Sequence, residues 1–353
     1  MSSIGLRPSP GIFRLAAGMA LIAAVGCRED MQSPNPPEST PATSATPELA
    51  VAASNTWTSR ATLPSPHSGF AASALENAAG QWIVYIFGGQ DEDGETPGFG
   101  AFTYNVATNT WGGSGPSIFR ATDLNGAGRV GTKFYITGGQ SCCDSDFRTF
   151  NTTWLYASST NRQVQKADMP KATTAGVTGV INGKVYVLPG YCSGESVDPG
   201  HCTTGGPIRQ LYRYDPSTDT WITRRQAPHF HTFGAGAVIN DKFYVVGGVN
   251  QGAFLDVYDP ASNTWQPGAP IPTPGERLFG APINSKFFVI SWSHPPGQPI
   301  VSKAYLYDPA TNKWTPRLAP PNGIAGPIVK VMLNGQPRLF LPGGFGPSYL
   351  YTP

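Results

Sequence analysis

The side chains of this sequence that could do chemistry are a few histidines, arginines and one lysine, placed at similar points of a repeated pattern. They are His67, Arg120, Lys171, His229, His231 and Arg277. Gathered on one surface, such cations would bind a carboxylate or a sulfate, because charge-assisted hydrogen bonds to these groups are strong. Kept apart, they would only be solvated. The elements that carry them decide between these two outcomes.

His229 and His231, in the phrase "PHFHTF", have a spacing that a metal ion could use. Two histidines on alternate residues of a strand point to the same side and could share an ion. The alternative is that both rings pack against neighbouring strands, and we expect this because no carboxylate follows at a matching spacing. The sequence therefore predicts no metal and no other cofactor.

Two aromatic residues, Tyr191 and Trp292, could stack on sugar rings, or could fill space in units that lack a glycine pair. Motifs that would assign a reaction are absent: the sequence contains no "GxSxG", no "HExxH" and no phosphate-binding loop. Catalytic residues therefore stay unknown at this stage.

An internal repeat of two phrases organises these residues. In the first phrase an apolar run ends in paired glycines, as in "WIVYIFGG", "KFYITGG", "KFYVVGG" and "RLFLPGG". In the second, a tyrosine precedes a tryptophan by seven positions, as in "YDPSTDTW" and "YDPASNTW". With the degenerate copies the chain has six units, and a period of this length indicates a repeat architecture.

Each unit has the pattern of four strands. A run of small residues, a two-residue turn, a second run rich in Val, Ile, Tyr and Phe, a loop and the alternating "YDP" phrase all favour β-structure. The pairs Asn182-Gly183 and Asn240-Asp241 suit tight hairpins, in which both turn residues have positive φ.

The glycine pair, "YDP" and "NTW" in this order resemble the kelch repeat, over roughly residues 54–353. The resemblance implies an all-β, six-bladed β-propeller with one four-stranded antiparallel blade per repeat. It also implies that two kinds of loop share one face, called here the long-loop face: those after the glycine pair, and those leading into each first strand. All the candidate residues named above lie in these loops, where binding sites are usually found.

The two ends of the repeat region look like halves of one blade. "ASNTW" (Ala53–Trp57) has no "YDP" before it, and "PSYLYTP" (Pro347–Pro353) has no "NTW" after it. We expect the N-terminal strand to pair with the C-terminal blade and close the ring, which leaves no unpaired radial edge.

The residues before the repeats have the composition of targeting and linker segments. Residues 1–27 resemble a signal peptide, and "AAVGC" resembles a bacterial lipobox that would place a lipid on Cys27. Ala24 replaces the usual leucine, so ordinary signal cleavage is the alternative. Residues 28–52 form a Pro/Ser/Thr-rich linker and residues 53–353 the propeller. We therefore expect a lipoprotein of the bacterial cell envelope, periplasmic or surface-exposed, or else a secreted protein.

The cysteine count agrees with an oxidising compartment. The chain has five cysteines, and lipidation of Cys27 would leave four to pair. Cys192 and Cys202 bracket one loop, which we expect them to staple as a disulfide. Cys142 and Cys143 are adjacent and would form either a vicinal disulfide or bonds to separate partners.

Charge excludes one class of partner. A formal net charge of +2 with 13% charged residues gives no basic face for nucleic acid. We expect a monomer that binds a protein or glycan ligand, anionic glycans among them, and that meets a membrane only through the anchor. Kelch propellers include copper radical oxidases, whose ligands cannot be placed here, and a bacterial sialic acid mutarotase. Sugar mutarotation or epimerisation is therefore the alternative function.

Overall fold

The repeated phrases form β-strands throughout. A computed structural model describes residues 54–90, 101–113, 123–141, 148–193, 205–249, 252–321 and 326–353. In chain order the strands are β1 (Thr56–Thr62), β2 (Ala71–Glu76), β3 (Trp82–Phe87), β4 (Ala101–Asn105), β5 (Thr110–Gly112), β6 (Ala127–Val130), β7 (Lys133–Thr137), β8 (Thr153–Ala157), β9 (Arg162–Lys166), β10 (Val177–Ile181), β11 (Lys184–Leu188), β12 (Tyr191–Cys192), β13 (Gly206–Pro207), β14 (Tyr212–Asp215), β15 (Thr220–Thr223), β16 (Ala235–Ile239), β17 (Lys242–Val246), β18 (Leu255–Asp259), β19 (Thr264–Gly268), β20 (Arg277–Ile283), β21 (Lys286–Ser293), β22 (Val301–Asp308), β23 (Lys313–Arg317), β24 (Val329–Leu333), β25 (Gln336–Leu341) and β26 (Pro347–Thr352).

The strands form six antiparallel four-stranded sheets, one for each repeat. Blades one, two, four and five are β2–β5, β6–β9, β16–β19 and β20–β23. Blade three is β10, β11, β14 and β15, with the short ribbon β12–β13 inserted between its second and third strands. The predicted all-β blade architecture is confirmed. Within the described ranges there is no α-helix, and hence none long and apolar enough to cross a bilayer.

Blade six is built from both ends of the repeat region. Its strand order is β24, β25, β26 and β1, so the first of the described strands is the outer strand of the last blade. Trp57 pairs with Tyr351, and their rings lie 5.0 Å apart. The Trp57 ring also lies 6.1 Å from Phe288 of blade five. The predicted closure of the ring is confirmed.

The first strands surround a central channel. β2, β6, β10, β16, β20 and β24 contact one another in a closed cycle in which each touches the first strands of its two neighbours. Small residues allow this close approach. A Cβ atom built on Gly236 of blade four would overlap the Cγ1 atom of Val177 in blade three.

The "NTW" phrase and its variants fasten five of the blades to the preceding one. In blade four, Asn263 Oδ1 accepts hydrogen bonds from Tyr258 Oη at 2.8 Å and from the Arg225 backbone nitrogen at 3.0 Å. Trp265 Nε1 donates to the Arg225 carbonyl oxygen at 2.9 Å. Four other blades repeat this arrangement: Asn109 and Trp111 hold Ala61, Asp219 and Trp221 hold Ala167, Asn312 and Trp314 hold Ala269, and Asn55 and Trp57 hold Leu318. The end of an outer strand is thus fixed by the next blade along the ring.

Glycine pairs with positive φ follow the second strands of blades one, two and four. In blade four β17 ends at Val246, before Gly247 and Gly248 with φ of 66° and 126°. Blade five has Ser291 and Trp292 at the corresponding positions, and β21 continues to Ser293. Loss of the glycines therefore extends the strand toward the long-loop face. The turns Asn182-Gly183 and Asn240-Asp241 have positive φ at both residues, as predicted.

Candidate functional site

Backbone hydrogen bonds connect the segments that lead into the first strands, at the mouth of the channel on the long-loop face. Asp123 N donates to Gly69 O, and Ala175 N donates to Asp123 O, both at 2.7 Å. Phe233 N donates to Ala175 O, and Leu278 N to Phe233 O, both at 2.8 Å. Four residues of this chain of bonds have positive φ, between 46° and 66°: Gly69, Asp123, Ala175 and Phe233. This chain of bonds, the mouth ring, holds blades one to five at fixed positions.

One ion pair crosses the channel mouth. Arg277 of blade five lies 3.2 Å from Asp123 Oδ1 of blade two, on the opposite side of the ring. The Arg277 guanidinium carbon lies 4.0 Å from the centre of the Phe233 ring. Gln140 Nε2 donates to Asp123 Oδ2 at 3.2 Å. The arginine side chain remains 40% exposed, whereas the aspartate is 14% exposed. The mouth therefore presents a cation that is held in place yet open to solvent.

Two aromatic candidates border this ion pair. Trp292 lies directly opposite Arg277 across the β20–β21 pair. Tyr191, which is 39% exposed, forms two backbone hydrogen bonds with Thr174. The Thr174 hydroxyl donates to the carbonyl oxygen of Asp123 at 2.7 Å. Arg277, Trp292 and Tyr191 thus belong to one connected region of the long-loop face.

A second cluster lies in blade four, around a carboxylate that the sequence did not point to. Asp256, on β18, lies 3.1 Å from His229 Nδ1 and 3.1 Å from His231 Nε2. The side chains of Asp256 and His231 are 1% and 0% exposed, and that of His229 is 34% exposed. The His229 ring stacks on Phe254, with centroids 3.7 Å apart and planes 6° from parallel.

Hydrogen bonding fixes the protons of this cluster. His231 Nδ1 lies 2.9 Å from the Gly247 carbonyl oxygen, which can only accept, so Nδ1 carries a proton. Burial raises the pKa of Asp256, but the hydrogen bonds and charges of His231 and His229 lower it more, and the net shift is downward. The carboxylate is therefore ionised at neutral pH and accepts from both rings. Both ring nitrogens of His231 thus face acceptors, whereas His229 faces the carboxylate through Nδ1 alone.

The histidine pair differs from the expected arrangement in two respects. Residues 229–231 precede β16, which begins at Ala235, and are not themselves in a strand. They converge on Asp256, which is distant in sequence, with ring N–H groups directed at the carboxylate. In the described part of the chain, no group of three or more His, Cys, Asp or Glu side chains is arranged to hold a metal ion.

The remaining candidates lie apart from these two clusters. His67 is 4% exposed, and its ring packs edge-on against Phe102 at 5.1 Å in blade one, so it is not a solvated residue of the channel rim. Lys171 is exposed on the segment that leads into blade three. The cations therefore do not form one continuous ring in the described structure.

Several predicted positions fall outside the described residues. They are Cys27, Arg120, Cys142, Cys143 and Cys202. Cys192 is fully buried, and its pairing with Cys202 stays a prediction.

Asp256 could have been found by aligning the repeats with one another. It lies two residues before the repeat tyrosine, where the other five units all have an aromatic residue: Phe102, Trp154, Tyr212, Tyr305 and Tyr349. An acid in an aromatic core position indicates a local role other than packing. Asp123 gives no such signal, because its partner lies in another blade 154 residues later.

A shallow cleft of about 480 Å³ lies on the opposite face, between blades two and three. Val130, Lys133, Asn182 and Lys184 contribute to its lining. Lys184 is already paired with Asp215 at 2.6 Å. The cleft is remote from both clusters, and we place the candidate site at the channel mouth.

The comparisons with known proteins agree with the blade architecture. Residues 176–224, which span blade three, match the family model described as Kelch motif. Together with six blades closed in a ring, this match identifies the chain as a kelch-repeat β-propeller.

The similar proteins carry kelch names or the same fold. A kelch-like protein, terF, from Aspergillus terreus is 30% identical over 35% of this chain and 26% of its own length. Human kelch repeat and BTB domain-containing protein 12 is 24% identical over 36% of this chain and 20% of its own length. The chain thus matches only about a quarter of these relatives or less. The solved structure of YjhT has a TM-score of 0.60 at 16% identity, covering 83% of this chain and 95% of that one, which shows the fold alone.

Proposed function

We propose that the propeller is a ligand-binding module that takes an anionic ligand, such as an acidic glycan, at Arg277 on the long-loop face. The observation that supports this most directly is the exposed guanidinium at the channel mouth. It rests on Phe233 and is paired with Asp123 across the channel. A ligand carboxylate would join or replace Asp123 as the partner of this arginine.

Energetics favour such an exchange. A partly exposed ion pair contributes only about 0–1 kcal/mol to stability, so giving up the Asp123 contact costs little. Contact with Phe233 keeps the guanidinium in position and reduces the entropy that ordering it would cost. Trp292, opposite Arg277 in the sheet, offers a face on which a sugar ring could stack.

Titration of the full chain with N-acetylneuraminic acid and D-glucuronic acid, with N-acetylglucosamine as the neutral control, tests the proposal. Arg277→Ala should weaken binding of the acidic sugars by at least about tenfold, because a hydrogen-bonded charge pair contributes roughly 1.5–3 kcal/mol. Asp123→Asn should strengthen binding, since it removes the competing anion. Arg162→Ala, which changes an exposed arginine of β9, is the matched control and should have no effect.

Equal affinity of the wild type and Arg277→Ala would contradict the assignment to Arg277. If no acidic glycan on an array binds while a partner protein is retained in a pull-down that Arg277→Ala abolishes, the ligand is a protein.

A sugar mutarotase or epimerase, resembling the bacterial sialic acid mutarotase, is the second candidate function. One observation favours it: blade four holds a histidine, His229, with a nitrogen able to accept a proton. Acceleration of anomeric exchange in the same acidic sugars by the full chain is the test.

We also propose that Cys27 carries a lipid that holds the protein in the bacterial cell envelope. The support is the sequence of residues 1–27 alone. Metabolic labelling with a palmitate analogue should mark the wild type and not Cys27→Ser. Release of unlabelled wild-type protein into the medium would indicate ordinary signal cleavage instead.

A further inference from the structure

We propose that His229 and Asp256 form a proton-transfer site on the long-loop face, in which His229 Nε2 takes a proton from a hydroxyl group of an anionic ligand. The proposal rests on the ligand-binding function proposed for this face. It deepens that function by naming the atom that would act on the ligand.

The blade fold itself does not require a carboxylate at the repeat position of Asp256, because blade one has Phe102 there. His67 and His231 each lie two residues before a member of the mouth ring, Gly69 and Phe233. In blade one the His67 ring packs against Phe102, which holds the repeat position of Asp256. The same position in blade four carries a buried anion instead. Burying a charge is unfavourable unless it is paired, so its presence indicates a use for the pair.

The two histidines on Asp256 are not equivalent. His231 is fully buried, and both of its nitrogens donate, one to Asp256 and one to the Gly247 carbonyl oxygen. It orients the carboxylate and has no nitrogen left to accept a proton. His229 is 34% exposed, and its backbone nitrogen and Nδ1 both donate to Asp256. No hydrogen bond to its Nε2 is made by any residue in the described ranges.

A carboxylate that holds Nδ1–H of a half-exposed histidine is the arrangement of a general base. In the form that acts as a base, the proton is on Nδ1 and the lone pair on Nε2. The anomeric O–H of the ligand gives its proton to Nε2, its electron pair forms the open-chain carbonyl, and the bond to the ring oxygen breaks with its electron pair on that oxygen, while Asp256 stabilises the imidazolium. The proton returns to the ligand from the same nitrogen. No bond to the protein forms, and no oxidant or reductant is needed.

Surrounding residues hold His229 in place and offer apolar surface beside it. Phe254, 47% exposed, stacks on the imidazole and offers apolar surface beside Nε2. Arg209 Nη1 donates to the Pro228 carbonyl oxygen at 2.8 Å, and its guanidinium carbon lies 5.0 Å from the centre of the Phe230 ring. Both neighbours of His229 are thus fixed by one arginine.

The site and the channel mouth belong to one continuous segment. His229 is four residues from Phe233, on which Arg277 rests, so their Cα atoms are at most about 14 Å apart. A hydroxyl-bearing ligand with a carboxylate, an acidic oligosaccharide or sugar acid, fits the chemistry of both.

Anomeric exchange of D-glucuronic acid and N-acetylneuraminic acid, followed by exchange NMR on the full chain, tests proton transfer. His229→Gln should slow the protein-catalysed exchange by about 100-fold or more, because general-base catalysis contributes roughly 10²–10⁴. Affinity for the sugars should change less than threefold, roughly the loss of one weak contact. His294→Gln, which changes an exposed histidine of the same face, is the matched control and should exchange as fast as the wild type.

Exchange by His229→Gln at the wild-type rate would overturn the proposal. Binding of the sugars by the wild type without faster exchange would also overturn it, while leaving the anion-binding function intact.

A second measurement does not depend on the sugar. Diethyl pyrocarbonate modifies unprotonated imidazole nitrogens, and peptide mapping separates the products. His229 should react several times faster than His294, whereas the buried His67 and His231 should stay unmodified. If the sugars fail to bind, the function proposed for Arg277 fails. If His229 also reacts no faster than His294, the proton-transfer site fails independently.

Discussion

Asp123 and Asp256 give the long-loop face its charge pattern, and each meets its partners only through the fold. Asp123 pairs with an arginine three blades away, and Asp256 with two histidines that lie 25 and 27 residues earlier. The arginine and both histidines were candidates from their types and positions in the repeat. Their carboxylate partners could not be inferred from local spacing, because a blade brings the segment before its first strand beside its third strand.

The pH dependence of stability should report on Asp256. Its pKa is lower in the folded chain than the ordinary value of about 3.9. The contribution of the ionised Asp256 to folding stability is therefore complete at pH values above that ordinary pKa, and it is lost as the pH falls through the folded pKa. Asp256→Asn should be less stable than the wild type at pH 7, by about 3–5 kcal/mol, since it leaves the buried His231 ring without its carboxylate partner.

Urea denaturation of both proteins from pH 7 down to pH 3 measures this effect. The difference between them should narrow below about pH 4. Other aspartates with lowered pKa values, such as Asp219 and Asp308, are present in both proteins and cancel in the difference. Parallel curves across the whole range would show that the Asp256 carboxylate does not contribute in this way.

Close packing of first strands should make Gly236 intolerant of even one added carbon. In β16, a Cβ atom at this position would overlap Val177 and lie 3.1 Å from Phe243 Cε2. Overpacking of this kind costs about 1–3 kcal/mol. We expect Gly236→Ala to lower the free energy of unfolding by that amount, measured by urea denaturation.

Gly206→Ala is the matched control. Gly206 also lies in a strand, β13, with nothing within 4 Å of the added carbon. Its substitution should change stability by less than about 0.5 kcal/mol. Equal effects of the two substitutions would mean that the blades can move apart at little cost.

At the level of strands, the sequence predicted the structure best at turns whose backbone conformation few residue types can adopt. Turns with two positive-φ residues, such as Asn240-Asp241, were predicted because few residue types tolerate that conformation. Blade five shows what the pattern missed. Without its glycine pair, β21 extends to eight residues, and this places Trp292 beside Arg277. Only the sheet register reveals that these two residues are cross-strand neighbours.

Because β1 closes the ring, we expect it to contribute to the stability of the whole propeller. Trp57 contacts Tyr351 and Phe288, and its Nε1 donates to the Leu318 carbonyl oxygen at 2.8 Å. Trp57→Ala should cost about 3 kcal/mol, the lower end of the range for aromatic core residues, because the ring is only partly buried. A chain that begins at Pro64 loses β1 entirely and should melt at a lower temperature still.

Deletion of residues 28–52, the predicted linker, is the control for that truncation and should leave the melting temperature unchanged. A chain beginning at Pro64 that melts at the same temperature as the full chain would show that β1 is dispensable.

The number of blades and their closure were predictable from the sequence, because the incomplete repeats at the two ends of the repeat region together make one whole repeat. The side chains that meet at the channel mouth could not be predicted, because their meeting depends on which blades face each other.

The pairing of β1 with β26 also determines when blade six can be completed during biosynthesis. Among the described strands, β1 is translated first and its partner β26 last, with Thr56 opposite Thr352. At about 5–20 residues per second, roughly 15–60 s separate the two. During this interval the nascent β1 presents unsatisfied backbone groups, to which another chain can add as a strand. Chaperone demand should therefore be greatest for this short segment, and should end only when the C-terminal residues arrive.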